Sequence, residues 1–233
     1  ALAAGELQRV AVRDREDAEK LRVGIDKAIR RGVLSRHHSV PTYEDVDVAQ
    51  KSADEVAGEI MAKLPNNGGC VIILVGLSGT GKGTTVAKLR QRLPAAATWS
   101  NGNCFRALAL LARMHCEREG QESFDPSCLT AANIASWTQM IRPRFFDGVF
   151  DVQIRGLGVD ARVSEIAETR LMEPALAQVL PAVAAETQGE VVALACSAVE
   201  QLRAAGRTVL LEGREQTLDF IPSDHRFRLV MSD

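Results

Sequence analysis

Aromatic residues are scarce in this chain. Phe, Trp and Tyr together make up 4% of it, against 46% for hydrophobic residues as a whole. A core poor in aromatics has to be assembled from Leu, Val, Ile and Ala, which suits helices packed on a parallel sheet. The apolar fraction excludes a chain that is disordered throughout. A charge excess of either sign is also lacking: 28 Lys and Arg stand against 30 Asp and Glu, for a net charge of −2. No broad basic excess therefore argues for nucleic acid or an anionic membrane. No apolar run approaches the roughly 20 residues that a membrane-spanning helix needs. The five cysteines, Cys70, Cys104, Cys116, Cys128 and Cys196, show neither a CxxC nor a paired spacing. An odd count without a framework fits reduced thiols in a cytosol-like compartment. His115 and Cys116 are adjacent, but two residues make no zinc site. The expected setting is cytoplasmic, with an organelle compatible because the chain starts at Ala1 rather than Met, and the expected state is a monomer. With 233 residues there is room for one α/β domain and an extension.

What is present is concentrated in one place. The apolar run Val71-Ile72-Ile73-Leu74-Val75 leads directly into Gly76-Leu77-Ser78-Gly79-Thr80-Gly81-Lys82-Gly83-Thr84. A buried strand, a Gly-rich turn and a helix over about 84–93 follow in that order. Glycines at 76, 79, 81 and 83 permit positive φ, so successive N–H groups can converge on a phosphate. The helix start adds its dipole and its unpaired N–H groups. Lys82 supplies a point charge for the β/γ-phosphates. The common P-loop pattern places Ser or Thr directly after the Lys. Here that position is Gly83, and the hydroxyl comes from Thr84, with Thr85 beside it. The loop predicts a nucleoside triphosphate, ATP with Mg²⁺, held by Gly76, Ser78, Gly79, Thr80, Gly81, Lys82, Gly83, Thr84 and Thr85.

Elsewhere the chain divides at Pro65-Asn66-Asn67-Gly68-Gly69. Residues 1–66 read as a charged helical extension, broken at Gly32 and at 37–41, with a second helix starting near Ser52. Ser52 and Glu55 fit a capping box. After the loop helix, 95–99 reads as a short strand and 100–103 as a loop, followed by a helix over about 104–119. Asp125-Pro126 is an N-cap with Pro at the first helical position, opening a helix to about 140. Residues 144–154 read as a β-hairpin turning at Asp147-Gly148. Short helices fill 164–185, and a longer one over 188–205 stops at Gly206. Strands follow at 208–211, ending in Glu212-Gly213-Arg214-Glu215, and at 226–231.

In parallel α/β sheets the ligand crevice lies at the carboxyl ends of the strands. Arg106, early in a helix after a Gly-containing loop, and Arg214, at a strand end, are therefore candidates for holding an anionic second substrate. The guanidinium fork matches phosphate oxygens. Glu212 at the same strand end is a candidate, with Thr84, for organising Mg²⁺.

Taken together, GLSGTGKGTT, SNGNCFRALALL, the 144–166 hairpin with Val163-Ser164-Glu165-Ile166, VLLEGRE and RLVMSD resemble the cytidylate kinases. These are P-loop nucleoside monophosphate kinases, and the resemblance runs over about residues 70–233. It implies a P-loop NTPase three-layer fold with a parallel sheet and an inserted monophosphate-binding subdomain over about 100–185. The whole domain would span 67–233. Transfer of the ATP γ-phosphate to CMP, dCMP or a related nucleotide is the implied reaction. Catalytic roles fall on Lys82, Arg106 and Arg214. Monophosphate contacts fall on Asn101, Gly102, Phe105, Arg106, Gly213, Arg214 and Glu215. The family's Asp-Ser/Thr-Gly-Ala-x-Tyr-Arg signature reads Ser100-Asn101-Gly102-Asn103-Cys104-Phe105-Arg106 here, losing the acid and changing the base-contacting position. Its Asp-Gly-Arg-Asp reads Glu212-Gly213-Arg214-Glu215. No Lys or Arg occurs between Leu171 and Leu202, where the family has a monophosphate-contacting Arg. The Arg-rich lid after the last matched strand has no counterpart before Asp233, so the resemblance implies a chain without its lid that transfers poorly. Two other readings stay open: another small-molecule P-loop kinase of adenylylsulfate or shikimate type, and a non-catalytic nucleotide-binding or interaction module.

Overall fold

The computed structural model describes residues 4–36, 41–64, 69–93 and 95–232, with side chains from Val12 onward. The turn read at 65–69 and the break at 37–41 fall, at 65–68 and 37–40, outside these residues. In chain order the elements are α1 (Ala4–Arg30), β1 (Glu44–Asp47), α2 (Ala53–Ala62), β2 (Val71–Gly76), α3 (Lys82–Arg92) and β3 (Ala97–Trp99). There follow α4 (Asn101–Arg118), α5 (Ala131–Gln139), β4 (Ile141–Phe146), β5 (Val149–Gly156), β6 (Val159–Arg162) and α6 (Val163–Ile166). The remainder is α7 (Pro174–Glu186), α8 (Gln188–Ala204), β7 (Val209–Gly213), α9 (Glu215–Leu218) and β8 (His225–Val230). The chain groups into two units: Ala1–Arg22 with His37–Trp99 and Val199–Asp233, and Val23–Arg36 with Ser100–Ala198.

The first unit is an α/β structure built on a five-stranded sheet in the order β1-β8-β2-β7-β3, parallel at every pairing. This is compatible with the expected three-layer arrangement. β2 is central and its first five residues are fully buried. A strand covered on both faces reads as a continuous apolar run rather than an alternating one, and 71–75 is such a run. Leu74 lies opposite Glu212 and Val75 opposite Gly213. That register brings Arg214 level with the first residues of the Gly-rich loop.

The expected helical extension over 1–66 does not hold at 44–47, whereas the helix read from near Ser52 is present as α2. Glu44–Asp47 is an edge strand paired with β8. Val46, Val56 and Ile60 join Leu74, Leu89 and Phe227 in one apolar cluster. Val46 alternates with acids, which suits a half-exposed edge, and its burial draws 41–48 into the sheet. Polar contacts fix the same segment. Tyr43 Oη donates to Asp219 Oδ1 at 2.6 Å, and the Arg226 and Arg228 guanidinium groups stand 5.5 and 5.2 Å from its ring centroid. The capping box at Ser52 and Glu55 forms as expected.

The second unit carries a three-stranded antiparallel sheet, β4-β5-β6. The expected hairpin is present, with Asp147 and Gly148 at φ 48° and 83°. Two consecutive positive φ values define the tight turn whose twist matches the flanking strands. A second two-residue turn at Leu157-Gly158 adds β6, which sequence reading missed. Asp125-Pro126 opens only a 3₁₀ turn, Pro126–Cys128; α5 starts later, capped by the Thr130 hydroxyl. α4 starts at Asn101, three residues earlier than expected, because the Ser100 hydroxyl accepts from Asn103 N–H. Its apolar face, with Leu108 and Leu111, is fully buried, as are Ile134 and Trp137 of α5. The second part of α1 belongs here: Lys27 pairs with Glu186, and Arg31 donates to Glu190 Oε1 at 2.8 Å. Among the described residues no single helix is long and apolar enough to cross a membrane.

Candidate functional site

Leaving β2, the chain turns at Gly76, whose φ is 152°. A Cβ there would stand 2.7 Å from Leu229 O and 2.8 Å from Thr80 Oγ1, so the position has no room for a side chain. Gly81 adopts the left-handed conformation and caps α3 without any side-chain hydrogen bond. The first intrahelical bond is Thr85 N–H to Gly81 O at 2.9 Å. The amides of the first turn of α3 are thus left for an anion, with the helix dipole behind them. Gly83 is already helical, and positive φ is not its reason. A Cβ on it would meet Glu212 Oε1 at 3.3 Å. A side chain at 83 would be tight against the Glu212 carboxylate, and the first hydroxyl after Lys82 belongs to exposed Thr84. Thr85 is 1% exposed and turns into the core. Thr80, also buried, donates its hydroxyl to Leu77 O at 2.9 Å and braces the loop.

Lys82 folds back over this loop, with Nζ donating to Gly76 O at 2.9 Å and Leu77 O at 2.8 Å. Burial lowers its ammonium pKa, and the nearby Arg214 charge adds to that; Glu212 and Asp14 act in the opposite direction. Lys82, Glu212 and Arg214 therefore share one strand-end neighbourhood in the first unit, as the sequence predicts. Glu215, expected beside a monophosphate, is turned to Arg228 instead, accepting from its Nε at 2.8 Å and Nη2 at 3.3 Å. Gly213 packs close to the Leu218 side chain.

Three of the four N–H groups at the tip of Arg214 are engaged. Nη1 donates to Gly76 O at 3.3 Å and Nη2 to Ser78 Oγ at 2.9 Å. Nη2 also pairs with Asp14 of α1. Asp14 further accepts from Ser78 N–H at 2.8 Å and from the Ser78 hydroxyl at 2.7 Å. Its burial would raise the carboxyl pKa, but the bonds from Arg214 and Ser78 outweigh that and bring it down to about 2. Sequence reading did not find Asp14. It sits in an Arg-Asp-Arg-Glu-Asp run that looks like a solvated helix face, and nothing in the spacing separates it from its neighbours. Beside this cluster lies a cleft of about 630 Å³, walled by Asp14, Ala18, Leu77, Arg214, Leu229 and Met231 among others.

In the second unit, Asn101 and Gly102 lie in the first turn of α4 rather than in a loop. Arg106, one turn on, donates from Nη1 to Asn103 Oδ1 at 3.2 Å and approaches Gly102, where a Cβ would stand 3.4 Å from the same nitrogen. Phe105 is half-buried beside it. Ser100 is the helix cap of α4. Among the described residues no group of three or more His, Cys, Asp or Glu is arranged to hold a metal ion by itself. No protein-family model matches the chain, and a search of curated proteins finds no match.

Proposed function

We infer that the loop 76–84 binds ATP and that the chain is a P-loop phosphotransferase acting on a nucleoside monophosphate, CMP or dCMP in the reading that its resemblance to the cytidylate kinases implies. The observation that supports this best is the meeting, at the end of β2, of an uncapped helix start, Lys82, Glu212 and Arg214. Amides and ammonium suit the β/γ-phosphates, and a guanidinium beside the same loop suits a second phosphate. Arg106, with its fork directed at Asn103, is the further arginine assigned to the acceptor, and Asn101 is assigned to its base.

An acceptor phosphate oxygen would attack the γ-phosphorus in line, forming one P–O bond as the bond to the ADP oxygen breaks. The nucleophile is already anionic, so no general base is required, and the residues contribute positioning and charge. The Thr84 hydroxyl and the Glu212 carboxylate are the hard oxygen donors that Mg²⁺ takes alongside phosphate oxygens and water, so the residues present fit this ion. When bound, Mg²⁺ would neutralise charge on the phosphates. In this reading Lys82 orients the γ-phosphate and Arg214 holds the acceptor.

Lys82→Ala should abolish ATP binding measured by calorimetry; an unchanged affinity would remove the phosphate-cradle assignment. A coupled assay with CMP, dCMP, UMP and AMP then tests transfer. ATP binding without turnover on any of them would overturn the kinase reading.

A further inference from the structure

An arginine grips a phosphate bidentately through neighbouring N–H groups, and each such pair that includes the tip of the fork uses Nη2. In Arg214 both Nη2 protons are already committed, to Asp14 and to the Ser78 hydroxyl, and Nη1 gives one to Gly76 O. The carboxylate on the fork is the chain's own. Of the four acids between 14 and 19, only Asp14 is buried; Glu16 and Glu19 are exposed and Asp17 is intermediate. A buried carboxylate carries a large desolvation penalty unless it is matched by donors, and here three donors match it. Asp14 and Ala18, one turn apart on α1, both wall the cleft beside the loop.

We propose that residues 4–22 of α1 form an internal pseudosubstrate, with the Asp14 carboxylate occupying the phosphate position on Arg214 and Ser78, so that the acceptor monophosphate must displace this helix to bind. The proposal rests on the phosphotransferase reading above and adds regulation to the same site. The exchange is chemically balanced in kind: a phosphate monoester with close to two charges replaces a carboxylate with one on the same guanidinium. Anything that lifts α1 away would act as an activator.

The test compares the full chain with Asp14→Asn, which keeps shape and removes charge, and Asp14→Ala, with Glu16→Gln as a control on the exposed face of the same helix. Affinities for ATP and for CMP are measured by calorimetry, and amide exchange of residues 4–22 is followed with and without CMP. CMP binding should tighten about tenfold or more in both Asp14 variants and remain unchanged in Glu16→Gln. Exchange in 4–22 should rise on adding CMP to the unaltered chain, and without ligand in the variants. ATP binding with equal CMP affinity in all four proteins would overturn the pseudosubstrate while leaving the kinase reading intact. Weaker CMP binding in Asp14→Asn would overturn it too, making Asp14 a positioning residue for Arg214. Failure of every protein to bind ATP would sink the kinase reading and the regulatory role with it. Unchanged protection of 4–22 in Asp14→Ala would sink the docking itself.

Discussion

Arg214 and Arg106 are the two guanidinium groups assigned to an acceptor phosphate, and their surroundings differ in kind. Arg214 is enclosed: a buried carboxylate, a serine hydroxyl and a backbone carbonyl surround its tip. Arg106 bonds the neutral oxygen of Asn103 one turn back on its own helix, and among the described residues it has no carboxylate partner. The residue type is the same, and so is the inferred role. What differs is the free energy that has to be given up before either can accept a phosphate. For Arg106 it is one neutral hydrogen bond, while for Arg214 it is a charge-assisted cluster closed by a second element of the chain. Resting electrostatics at a site are thus set by what opposes the arginine, which a motif does not record.

The sharpest way to break this contrast is to remove Arg214. Arg214→Ala strands the Asp14 carboxylate against Ser78 alone. Breaking a buried pair by deleting one partner costs about 3–5 kcal/mol. Release of residues 4–22 into water limits the loss, so it should concentrate there. Amide exchange should show α1 losing protection while β2 and β7 keep theirs. Equal protection of α1 in the variant would mean that Arg214 and Asp14 are not energetically coupled.

A second effect, smaller, follows from the Asp14 carboxyl. Its value in the folded chain, about 2, lies below the ordinary 3.8. A depressed carboxyl contributes stability that is fully present above the ordinary value and is lost as pH falls toward the folded one. The window is therefore about pH 4 down to about 2, and the contribution is on the order of 2 kcal/mol. Protection of α1 should be flat from neutrality to about pH 4 and fall below it. Asp14→Asn should abolish that slope; a slope that survives the substitution would belong to other carboxylates.

Much of the first unit is legible in the sequence because its signals are local. The run 71–75, the glycines after it and Lys82 fix strand, turn and helix within a short stretch, and Glu212-Gly213-Arg214 ends a second apolar strand. Asp147-Gly148 fixes the hairpin in the same way. What escaped reading depends on distant partners. β1 is four residues, two of them Asp and one Glu, and becomes a strand only by pairing with β8 at the other end of the chain. Asp14 becomes part of the loop only through Ser78 and Arg214, 64 and 200 residues away. Gly83 reads as a source of backbone freedom, whereas it lies within α3 without positive φ and close to the Glu212 carboxylate. The Gly156-Leu157-Gly158 sequence, in contrast, did carry the signal for β6.

The smallest effect on stability is expected at Arg106, and it sharpens the contrast from the other side. Arg106→Ala removes a partly exposed side chain whose bond to Asn103 is neutral and local, within one turn of α4. No buried charge is stranded, so unfolding by urea should shift by no more than about 0.5 kcal/mol. If Arg106 holds an acceptor phosphate, the same substitution should weaken CMP binding while leaving ATP affinity and the protection of α1 unchanged. A stability loss comparable to that of Arg214→Ala would show that Arg106 is a structural anchor of α4. Its availability would then be no greater than that of Arg214, and the difference between the two arginines would dissolve.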